Sequence, residues 1–351
     1  MPANHLFSPK TLFDRRMMLA AAGHAGAALA ATLALPAKAA MAAIAPRQRI
    51  IIDNDLSGDP DGLFQLAHHL ASPSVDVALI VGSHLHDHEP FDPSAQQADN
   101  AARRARDVAA LMRLARPAPI IAGRNSALPA DGAGWSSPAS QRIVEEAMRP
   151  DNRPLFYCAG ASLTEIAAAH RLDPRIGKRL KLVWIGGMEH ADLNPGVPAR
   201  TDAEYNMTID MAAARYVFNQ SDIEIWQVPR DTYRRMLISH AELARGLAKA
   251  GKLGAFLLGQ IDTIGAMAAS HGLPLGETYI LGDSPLVTLT ALQSSFEADS
   301  SSSDYVVRPT PTLDEAGRYV ARADGRAMRI YRQVDTRLTF EDMFAKFAAL
   351  G

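Results

Sequence analysis

Four aspartates follow one apolar run within nine residues of this chain: Asp53, Asp55, Asp59 and Asp61 come after an isoleucine triplet at 50–52. Carboxylates packed this tightly repel one another, so folding them into one loop is costly unless a cation lies among them. A strand, an acidic loop and a helix in succession can present a metal ion at the edge of an open α/β sheet. The segment therefore predicts a metal site. The alternative is helix capping with solvated loop charge, since Asp59 precedes a proline and would be a good N-cap.

Short apolar runs alternate with helical patterns through most of the chain. The predicted strands cover 50–53, 77–82, 119–122, 155–158, 180–185 and 223–228. The predicted helices begin near residue 60 and then cover 94–114, 137–148, 162–170 and 210–218. This alternation predicts βαβ units and a mostly parallel, Rossmann-like open α/β sheet flanked by helices. Further along, we expect helices over 239–270, 283–293 and 340–349, strand-like segments at 305–307 and 328–333, and a surface loop over 297–304.

Composition fits a globular protein with a large core. The chain has 351 residues, of which 48% are hydrophobic and 21% charged, and its formal net charge is −2. Because there is no extended basic stripe, a nucleic-acid partner is not expected. The single cysteine, Cys158, cannot form an intramolecular disulfide and is expected to be a small buried residue rather than a nucleophile. No linker or internal repeat divides the chain, so we expect one domain over 43–351.

The first 42 residues predict an export signal. Arg15-Arg16 precede an Ala- and Leu-rich stretch over 20–35, and Ala37-Lys38-Ala39 has the form of a signal-peptidase site. The paired arginines resemble the twin-arginine type. The alternative is a membrane anchor, but an apolar stretch of about 16 residues is short for a span. We therefore expect a periplasmic or secreted protein with no stable membrane anchor after cleavage.

Polar residues stand directly after several predicted strands. In open parallel sheets, ligands bind outside the carboxyl ends of the strands. The residues at those ends are the aspartates at 55–61, Ser83-His84, Ala159-Gly160, Gly186-Gly187 with the long loop ending in Glu204-Tyr205-Asn206, and the late Asp283. We expect them to converge on one cleft.

These residues, in this order, resemble the inosine/uridine-preferring nucleoside hydrolases. The resemblance is carried by the aspartates after the first strand, Gly160-Ala161-Ser162-Leu163-Thr164-Glu165, Ile185-Gly186-Gly187, Ala203-Glu204-Tyr205-Asn206 and Asp283-Ser284-Pro285. It covers nearly all of the chain after the export signal. It implies a nucleoside hydrolase-like fold, a bound Ca²⁺ and hydrolysis of the N-glycosidic bond of a ribonucleoside or related riboside. Members of this family are often dimers or tetramers, so a homo-oligomer is an open expectation.

The resemblance also implies roles at the metal. Asp55 matches a metal ligand that is also the base for water, Asp283 matches a late ligand, and the carbonyl of Ala159 matches a backbone ligand. Asp59 and Asp61 are the remaining candidate ligands. The chemistry suits these groups, because Ca²⁺ takes six to eight oxygen ligands and a carboxylate next to metal-bound water can act as its base.

On the substrate side, the resemblance implies that Glu204 and Asn206 hold sugar hydroxyls. Ser83 stands where the family usually has a sugar-binding Asn. Asp61 and His84 complete the predicted substrate-binding set. Asp53 is expected to brace the acidic loop from behind.

The chain departs from the family pattern at three positions. The family usually has two adjacent aspartates, one on the metal and one on the ribose, and here Gly62 replaces the second, so that Asp59 or Asp61 must compensate. Gly282 stands where many members have a His that protonates the leaving group. Glu165 stands where Asn is usual.

Two other classes of protein stay open. A non-catalytic exported nucleoside- or sugar-binding protein of the same fold is suggested by Gly62 and Gly282. A haloacid-dehalogenase-type phosphatase is suggested by Asp53-x-Asp55 with the late Asp283, although Pro285 follows closely where that class has another Asp.

Two groups of side chains also allow more than one interpretation. His84, His86 and His88 alternate along one segment; they predict a solvated loop, a contact to the leaving group, or a zinc site that lacks an evident further ligand. The aromatic residues Trp135, Tyr157, Trp184 and Trp226 are expected to pack in the core rather than stack on a base.

Overall fold

One central sheet organises the protein, and its strands are numbered here in chain order. The computed structural model describes residues 44–129, 133–196, 200–273, 276–294 and 301–351. The strands are β1 (Gln48–Asn54), β2 (Val75–Gly82), β3 (Ile120–Ala122), β4 (Leu155–Ala159), β5 (Leu180–Ile185), β6 (Glu224–Val228), β7 (Leu237–Ser239), β8 (Thr278–Ile280), β9 (Asp304–Pro309), β10 (Thr312–Leu313), β11 (Tyr319–Val320) and β12 (Ala327–Gln333). The predicted export signal over 1–42 lies outside the described residues, as do residues 297–300 of the predicted surface loop.

The central sheet has eight strands within the described residues, in the order β3-β2-β1-β4-β5-β6-β12-β9. Every neighbouring pair is parallel except β12 with β9, which is antiparallel. The predicted mostly parallel sheet is therefore confirmed. The late strand-like segments also prove to be strands, and they extend the sheet beyond β6.

Helices flank this sheet. In chain order they are α1 (Asp61–Leu70), α2 (Gln97–Met112), α3 (Pro138–Met148), α4 (Thr164–Leu172), α5 (Tyr205–Ile209), α6 (Met211–Gln220), α7 (Arg230–Tyr233), α8 (His240–Leu247), α9 (Gly251–Ser270), α10 (Pro285–Thr288) and α11 (Thr336–Ala348).

β1 shows why the sheet is covered on both faces. Ile50 and Ile52 belong to one apolar layer, whereas Ile51 belongs to the other. Side chains alternate between the faces of a strand, so an unbroken isoleucine run supplies both layers at once. Burial on both faces fixes β1 near the centre of the sheet, and its carboxyl end carries the acidic loop.

Several predicted helices differ from the structure, and two of them are interrupted. The single helix expected over 239–270 is two helices, α8 and α9, and Gly251 at the start of α9 has a positive φ of 55°. The helix expected over 283–293 is regular only over α10. Beyond α10 the backbone mixes two hydrogen-bond spacings: Thr290 N donates to Val287 O three residues back, and Ala291 N donates to the same oxygen four residues back. The regular α-helical pattern therefore does not continue to residue 293. A first helix with Pro60 at its first position would begin at residue 60. In the structure it begins one residue later, at Asp61.

The predicted core residues are confirmed. Cys158, Tyr157 and Trp184 are fully buried, and Trp135 and Trp226 are nearly so. Among the described residues, α9 is long and apolar enough to cross a membrane by length and composition alone. Its side chains at Leu253, Leu257 and Ile261 are buried against the rest of the protein.

Candidate active site

A cavity of about 320 Å³ lies at the carboxyl edge of the central sheet. Its volume is in the range of small-molecule sites. Acidic residues dominate its polar lining: Asp55, Asp59, Asp61, Glu89, Glu204 and Asp283. Its apolar and aromatic lining comes from Leu85, Phe91, Ile185, Tyr205, Tyr233 and Ile280. Most of the residues that were predicted to converge at the strand ends therefore line this cavity.

The acidic loop between β1 and α1 holds its own shape through two local hydrogen bonds. Gly58 N donates to the carbonyl of Asp55 over 2.7 Å, which closes a tight turn. Asp61 N donates to Asp59 Oδ1 over 3.1 Å. Pro60 is the N-cap of α1 and no side chain makes a cap hydrogen bond there, so the prediction that Asp59 is the N-cap is wrong. Asp59 lies one residue before the cap, accepts from the first amide of the helix and lines the cavity.

Asp283 joins this loop from the far end of the chain. Its backbone amide donates to Asp61 Oδ2 over 3.1 Å, across 222 positions of sequence. Its carboxylate Oδ2 accepts a hydrogen bond from Asn54 Nδ2 over 2.8 Å. Asp55 and Asp283 share one cavity, and their carboxylates repel one another strongly enough to raise the pKa of Asp55. Acidic groups from two distant segments therefore meet at one point of the sheet edge.

Burial leaves this negative charge without compensation. Burial, followed by repulsion from Asp283 and Asp59, raises the pKa of Asp55 well above its ordinary value. The same causes raise the pKa of Asp61 well above its ordinary value, and burial raises that of Asp283 to about 7. No Lys, Arg or His among the described residues lines the cavity. A positive charge placed there would lower all three pKa values.

The donors fit a hard divalent cation in their chemistry. They are carboxylate oxygens, which Ca²⁺ and similar ions prefer, and the hydrogen bond from Asn54 reaches only one oxygen of Asp283. The buried Oδ1 of Asn54 has no hydrogen-bond partner either. The described His, Cys, Asp and Glu side chains do not form a closed group of three or more around a common point. The donor set is therefore suitable, and a cation would have to draw the carboxylates together.

Three tyrosines hold the acidic wall in place. Tyr279 donates to Asp59 Oδ1 over 3.0 Å, Tyr233 to Glu204 Oε1 over 2.9 Å, and Tyr205 to Glu89 Oε2 over 2.5 Å. A phenol hydroxyl fixes the orientation of a carboxylate without neutralising its charge. The carboxyl groups of the wall are consequently held in fixed orientations.

Glu204 and Asn206 lie at the cavity as predicted. Glu204 is the N-cap of α5, and its Oε2 accepts hydrogen bonds from Gly187 N over 2.8 Å and Met207 N over 3.0 Å. Asn206 Nδ2 donates to the carbonyl of Ile185 over 2.8 Å. Glu204 thus has a structural role as a helix cap. Sugar contact by these two residues stays a prediction.

Ala159 ends β4 and is buried, and the next residue, Gly160, lines the cavity. Gly160 N donates to the carbonyl of Asp53 over 3.0 Å, which ties this turn to the end of β1. Only glycine fits there, because a Cβ would lie 2.4 Å from Asn54 Nδ2 and 2.7 Å from Asp283 Oδ2. Metal ligation by the Ala159 carbonyl stays a prediction.

Ser83 and His84 do not line the cavity within the described residues. Ser83 Oγ donates to Asp53 Oδ1, and Tyr157 Oη donates to Asp53 Oδ2. His84 is buried, with Nδ1 donating to the carbonyl of Leu85 over 2.9 Å. Both side chains face into the protein behind the cavity, so their predicted contact with substrate lacks geometrical support. The expectation that Asp53 braces the acidic loop stays a prediction, because its carboxylate contacts Ser83 and Tyr157.

The histidine segment is only partly solvated. His88 is exposed, whereas His84 is buried, so the solvated-loop prediction is wrong for His84. His86 packs edge-on against Tyr205 with 4.9 Å between ring centroids. The described histidines form no group that could hold a metal ion. Glu165, at the usual Asn position, is buried and accepts hydrogen bonds from Arg124 N over 2.8 Å and from Ser137 Oγ.

Sequence reasoning missed Glu89 as a cavity residue, and it placed Tyr205 at the cleft without giving it a role. Tyr205 lies between two residues that were selected, Glu204 and Asn206, and its large aromatic side chain at a strand-end loop was the available signal. Glu89 lies in a segment without periodicity, and only the folded structure brings it to the cavity, where Tyr205 binds it.

The protein is therefore an open, mostly parallel α/β protein with an acidic cavity at the carboxyl edge of its sheet. The family model described as "Inosine-uridine preferring nucleoside hydrolase" matches residues 50–340. The chain belongs to that family, and the resemblance seen in its motifs is confirmed.

Curated relatives match over part of their length. An inosine-uridine preferring nucleoside hydrolase of Leishmania major is 34% identical over 125 residues, which are 35% of this chain and 38% of that protein. One from Crithidia fasciculata is 37% identical over 86 residues, which are 24% of this chain and 25% of that protein. The chain thus aligns with less than half the length of each of these two relatives.

Solved structures match over almost their whole length. A purine-preferring ribonucleoside hydrolase from Gardnerella vaginalis superimposes with a TM-score of 0.65 at 17% identity, covering 86% of this chain and 99% of that chain. An inosine-uridine preferring nucleoside hydrolase from Bacillus anthracis gives 0.61 at 18% identity, covering 87% of this chain and all of the other. At such low identity the likeness shows a shared fold.

The metal-free protein is expected to lose stability as the pH rises from about 4 to about 7. Burial raises the pKa of Asp53 and of Asp283 from 3.8 to about 7. Between these values the folded state binds more protons than the unfolded state, so the free energy of unfolding falls with rising pH. The stabilisation is complete below the unfolded pKa and is lost once the folded pKa is passed. Each unit of pKa difference corresponds to about 1.4 kcal/mol.

Thermal unfolding in the presence of a chelator, followed from acidic to mildly alkaline pH, measures this effect. Excess Ca²⁺ serves as the comparison, because a cation favours the ionised carboxylates and should flatten the slope. A melting temperature that does not change with pH in the chelator would contradict the assignment of these aspartates as uncompensated buried acids.

Proposed function

We propose that this protein hydrolyses the N-glycosidic bond of a ribonucleoside or related riboside with the help of a divalent cation, with Ca²⁺ as the expected ion. One observation carries the proposal: Asp55 and Asp283 line the same anionic cavity, into which no described cationic side chain projects. Family membership supports the reaction class. Asp55, Asp59, Asp61, Asp283 and the carbonyl of Ala159 are the groups proposed to hold the cation.

Asp55 is proposed as the base that takes a proton from the attacking water. Its own backbone provides the hydrogen bond that favours its charged form, and no described side chain donates one, so its carboxylate is free to accept a proton. A bound divalent cation would lower the pKa of water and polarise sugar oxygens. The remaining anionic wall favours the positive charge that develops on the sugar ring as the glycosidic bond breaks.

The sugar and the base are proposed to occupy different parts of the cavity. Glu204 and Asn206 are held rigidly by backbone groups and offer oxygen atoms to sugar hydroxyls. Phe91, Tyr205 and Ile280 supply an apolar wall for the base or another aglycone. Gly282 has no side chain that could protonate the leaving group, so a leaving group that departs readily as an anion should be favoured.

Release of free ribose tests the proposal. The full-length protein would be incubated with inosine, uridine, p-nitrophenyl riboside and p-nitrophenyl phosphate, each with Ca²⁺ or with a chelator. We expect ribose release that depends on the cation, and faster turnover of p-nitrophenyl riboside than of inosine. Phosphate release would support the dehalogenase class instead. Tight binding of a nucleoside without any product would support the non-catalytic binding protein, which Gly62 and Gly282 suggest.

Export by the twin-arginine route to the periplasm or the exterior remains part of the proposal. It rests on Arg15-Arg16 and the apolar stretch over 20–35. Recovery of a processed chain from the periplasm, and its loss when both arginines are replaced by lysine, would support it. Retention of unprocessed chain in the cytoplasm of a host with a working twin-arginine system would contradict it.

A further inference from the structure

Asn54 lies beneath the acidic cavity and is fully buried. It is the last residue of β1, and its amide lies next to two glycines. A Cβ at Gly62 would lie 3.0 Å from both Nδ2 and Oδ1 of Asn54. A Cβ at Gly160 would lie 2.4 Å from Asn54 Nδ2. The amide therefore occupies space that side chains at these two positions would otherwise need.

A chain of buried hydrogen bonds fixes which way this amide points. Thr290 Oγ1 donates to the carbonyl of Leu286 over 2.6 Å, so it must accept from His69 Nε2, which lies 2.9 Å away. A neutral His69 with its proton on Nε2 accepts at Nδ1, and Gln65 Nε2 is the donor there. Gln65 Oε1 must then accept from Asn54 Nδ2, over 3.1 Å.

The second hydrogen on Asn54 Nδ2 is donated to Asp283 Oδ2 over 2.8 Å. Both hydrogens of the Asn54 amide therefore have acceptors. These acceptors are assigned without any assumption about whether Asp283 is protonated. Asn54 Oδ1 remains a fully buried acceptor with no hydrogen-bond partner. A buried carbonyl oxygen without a partner is costly, so its retention calls for a ligand.

We propose that Asn54 Oδ1 is an oxygen ligand of the divalent cation, in the space that the absence of a side chain at Gly62 leaves open. The inference rests on the proposed cation site and extends it to a residue outside the aspartate set. Gly62 leaves room for the Asn54 amide, and that amide in turn orients the Asp283 carboxylate. An amide oxygen is an accepted Ca²⁺ ligand and carries no net charge, so the site gains a donor without further repulsion.

Calorimetric titration of the metal-free, full-length protein with Ca²⁺ tests this assignment. Asn54→Ala should weaken Ca²⁺ binding by about tenfold or more, in line with the loss of a group in a metal site. The double variant Asn54→Ala/Gly62→Asp moves the oxygen donor to position 62, where removal of the Asn54 amide has opened space. It should bind Ca²⁺ more tightly than Asn54→Ala alone.

Gln227→Ala is the matched control. Gln227 is also a fully buried amide near the carboxyl end of a central strand, but its Nε2 donates to the carbonyl of Gly186 and its Oε1 lies 3.0 Å from His190 Nε2. Its replacement should leave Ca²⁺ affinity within about twofold of the parent, well below the effect expected for a metal-site group. Cooperative thermal unfolding of each metal-free variant shows that it is folded.

A crystal structure of the Ca²⁺-loaded protein separates a ligand from a residue that only positions Asp283. We expect Asn54 Oδ1 at about 2.3–2.6 Å from the ion. An ion held by the aspartates with Asn54 Oδ1 outside that range would overturn the inference, as would parental affinity in a folded Asn54→Ala variant. Both results would leave the proposed hydrolase standing, because cation-dependent ribose release is measured separately.

Discussion

Replacement of Asp55 by asparagine is expected to abolish turnover while leaving the fold intact. The substitution removes both a proposed cation ligand and the proposed base, and loss of a general base alone typically costs about 10²–10⁴-fold in rate. Asn is nearly the same size as Asp, and it removes one of several mutually repelling buried charges. The metal-free variant should therefore be no less stable than the parent. Ribose release from the most active substrate measures the effect.

Asp87→Asn is the matched control for this prediction. Asp87 is an exposed aspartate in the segment that precedes Glu89, so the chemical change is the same away from the cavity. Its activity should equal that of the parent. Activity near the parental level in Asp55→Asn, with an unchanged circular dichroism spectrum, would remove Asp55 from the mechanism.

Replacement of Asp283 by alanine is expected to weaken Ca²⁺ binding strongly. Loss of a residue that only supports a metal ligand typically costs about 10–100-fold in affinity, and the effect here should be larger because Asp283 is itself a proposed ligand. Asp283 contributes a buried carboxylate, and its backbone amide holds Asp61. Removing the side chain takes away a proposed ligand and leaves the Asn54 amide with one acceptor fewer. Calorimetric titration of the metal-free protein gives the affinity directly.

Asp231→Ala provides the comparison for Asp283. Asp231 is equally buried, in α7, but it accepts a hydrogen bond from Asn194 and does not line the cavity. Its loss should affect stability and not Ca²⁺ affinity. An unchanged affinity in Asp283→Ala would exclude Asp283 as a ligand.

The acidic part of the site could be predicted because its signal is local. An isoleucine run followed by Asp55, Asp59 and Asp61 defines a buried strand and an acidic loop without any knowledge of tertiary contacts. Parallel strands then bring their carboxyl ends to one edge, which is why the order of motifs also located Glu204 and Asp283. Two general rules, the acidic loop after a buried strand and the common edge of parallel strand ends, therefore predict most of the acidic residues that line the cavity.

The remaining residues depend on side-chain direction, which a sequence does not specify at strand ends. Ser83 and His84 follow β2 at the correct edge, yet they turn towards Asp53 and the carbonyl of Leu85. The loop that carries Glu89 is irregular and acquires its position through Tyr205. Asn54 follows the predicted strand over 50–53 and received no role from its sequence position, and only the hydrogen-bond directions reveal its unpaired oxygen.

The bond between Asp283 N and Asp61 Oδ2 spans 222 positions of the chain. During synthesis, the first wall of the cavity therefore emerges from the ribosome long before the second. A nascent polypeptide that has not yet reached residue 283 contains only part of the proposed cation site. Binding of the proposed cation would therefore have to follow the synthesis of most of the chain.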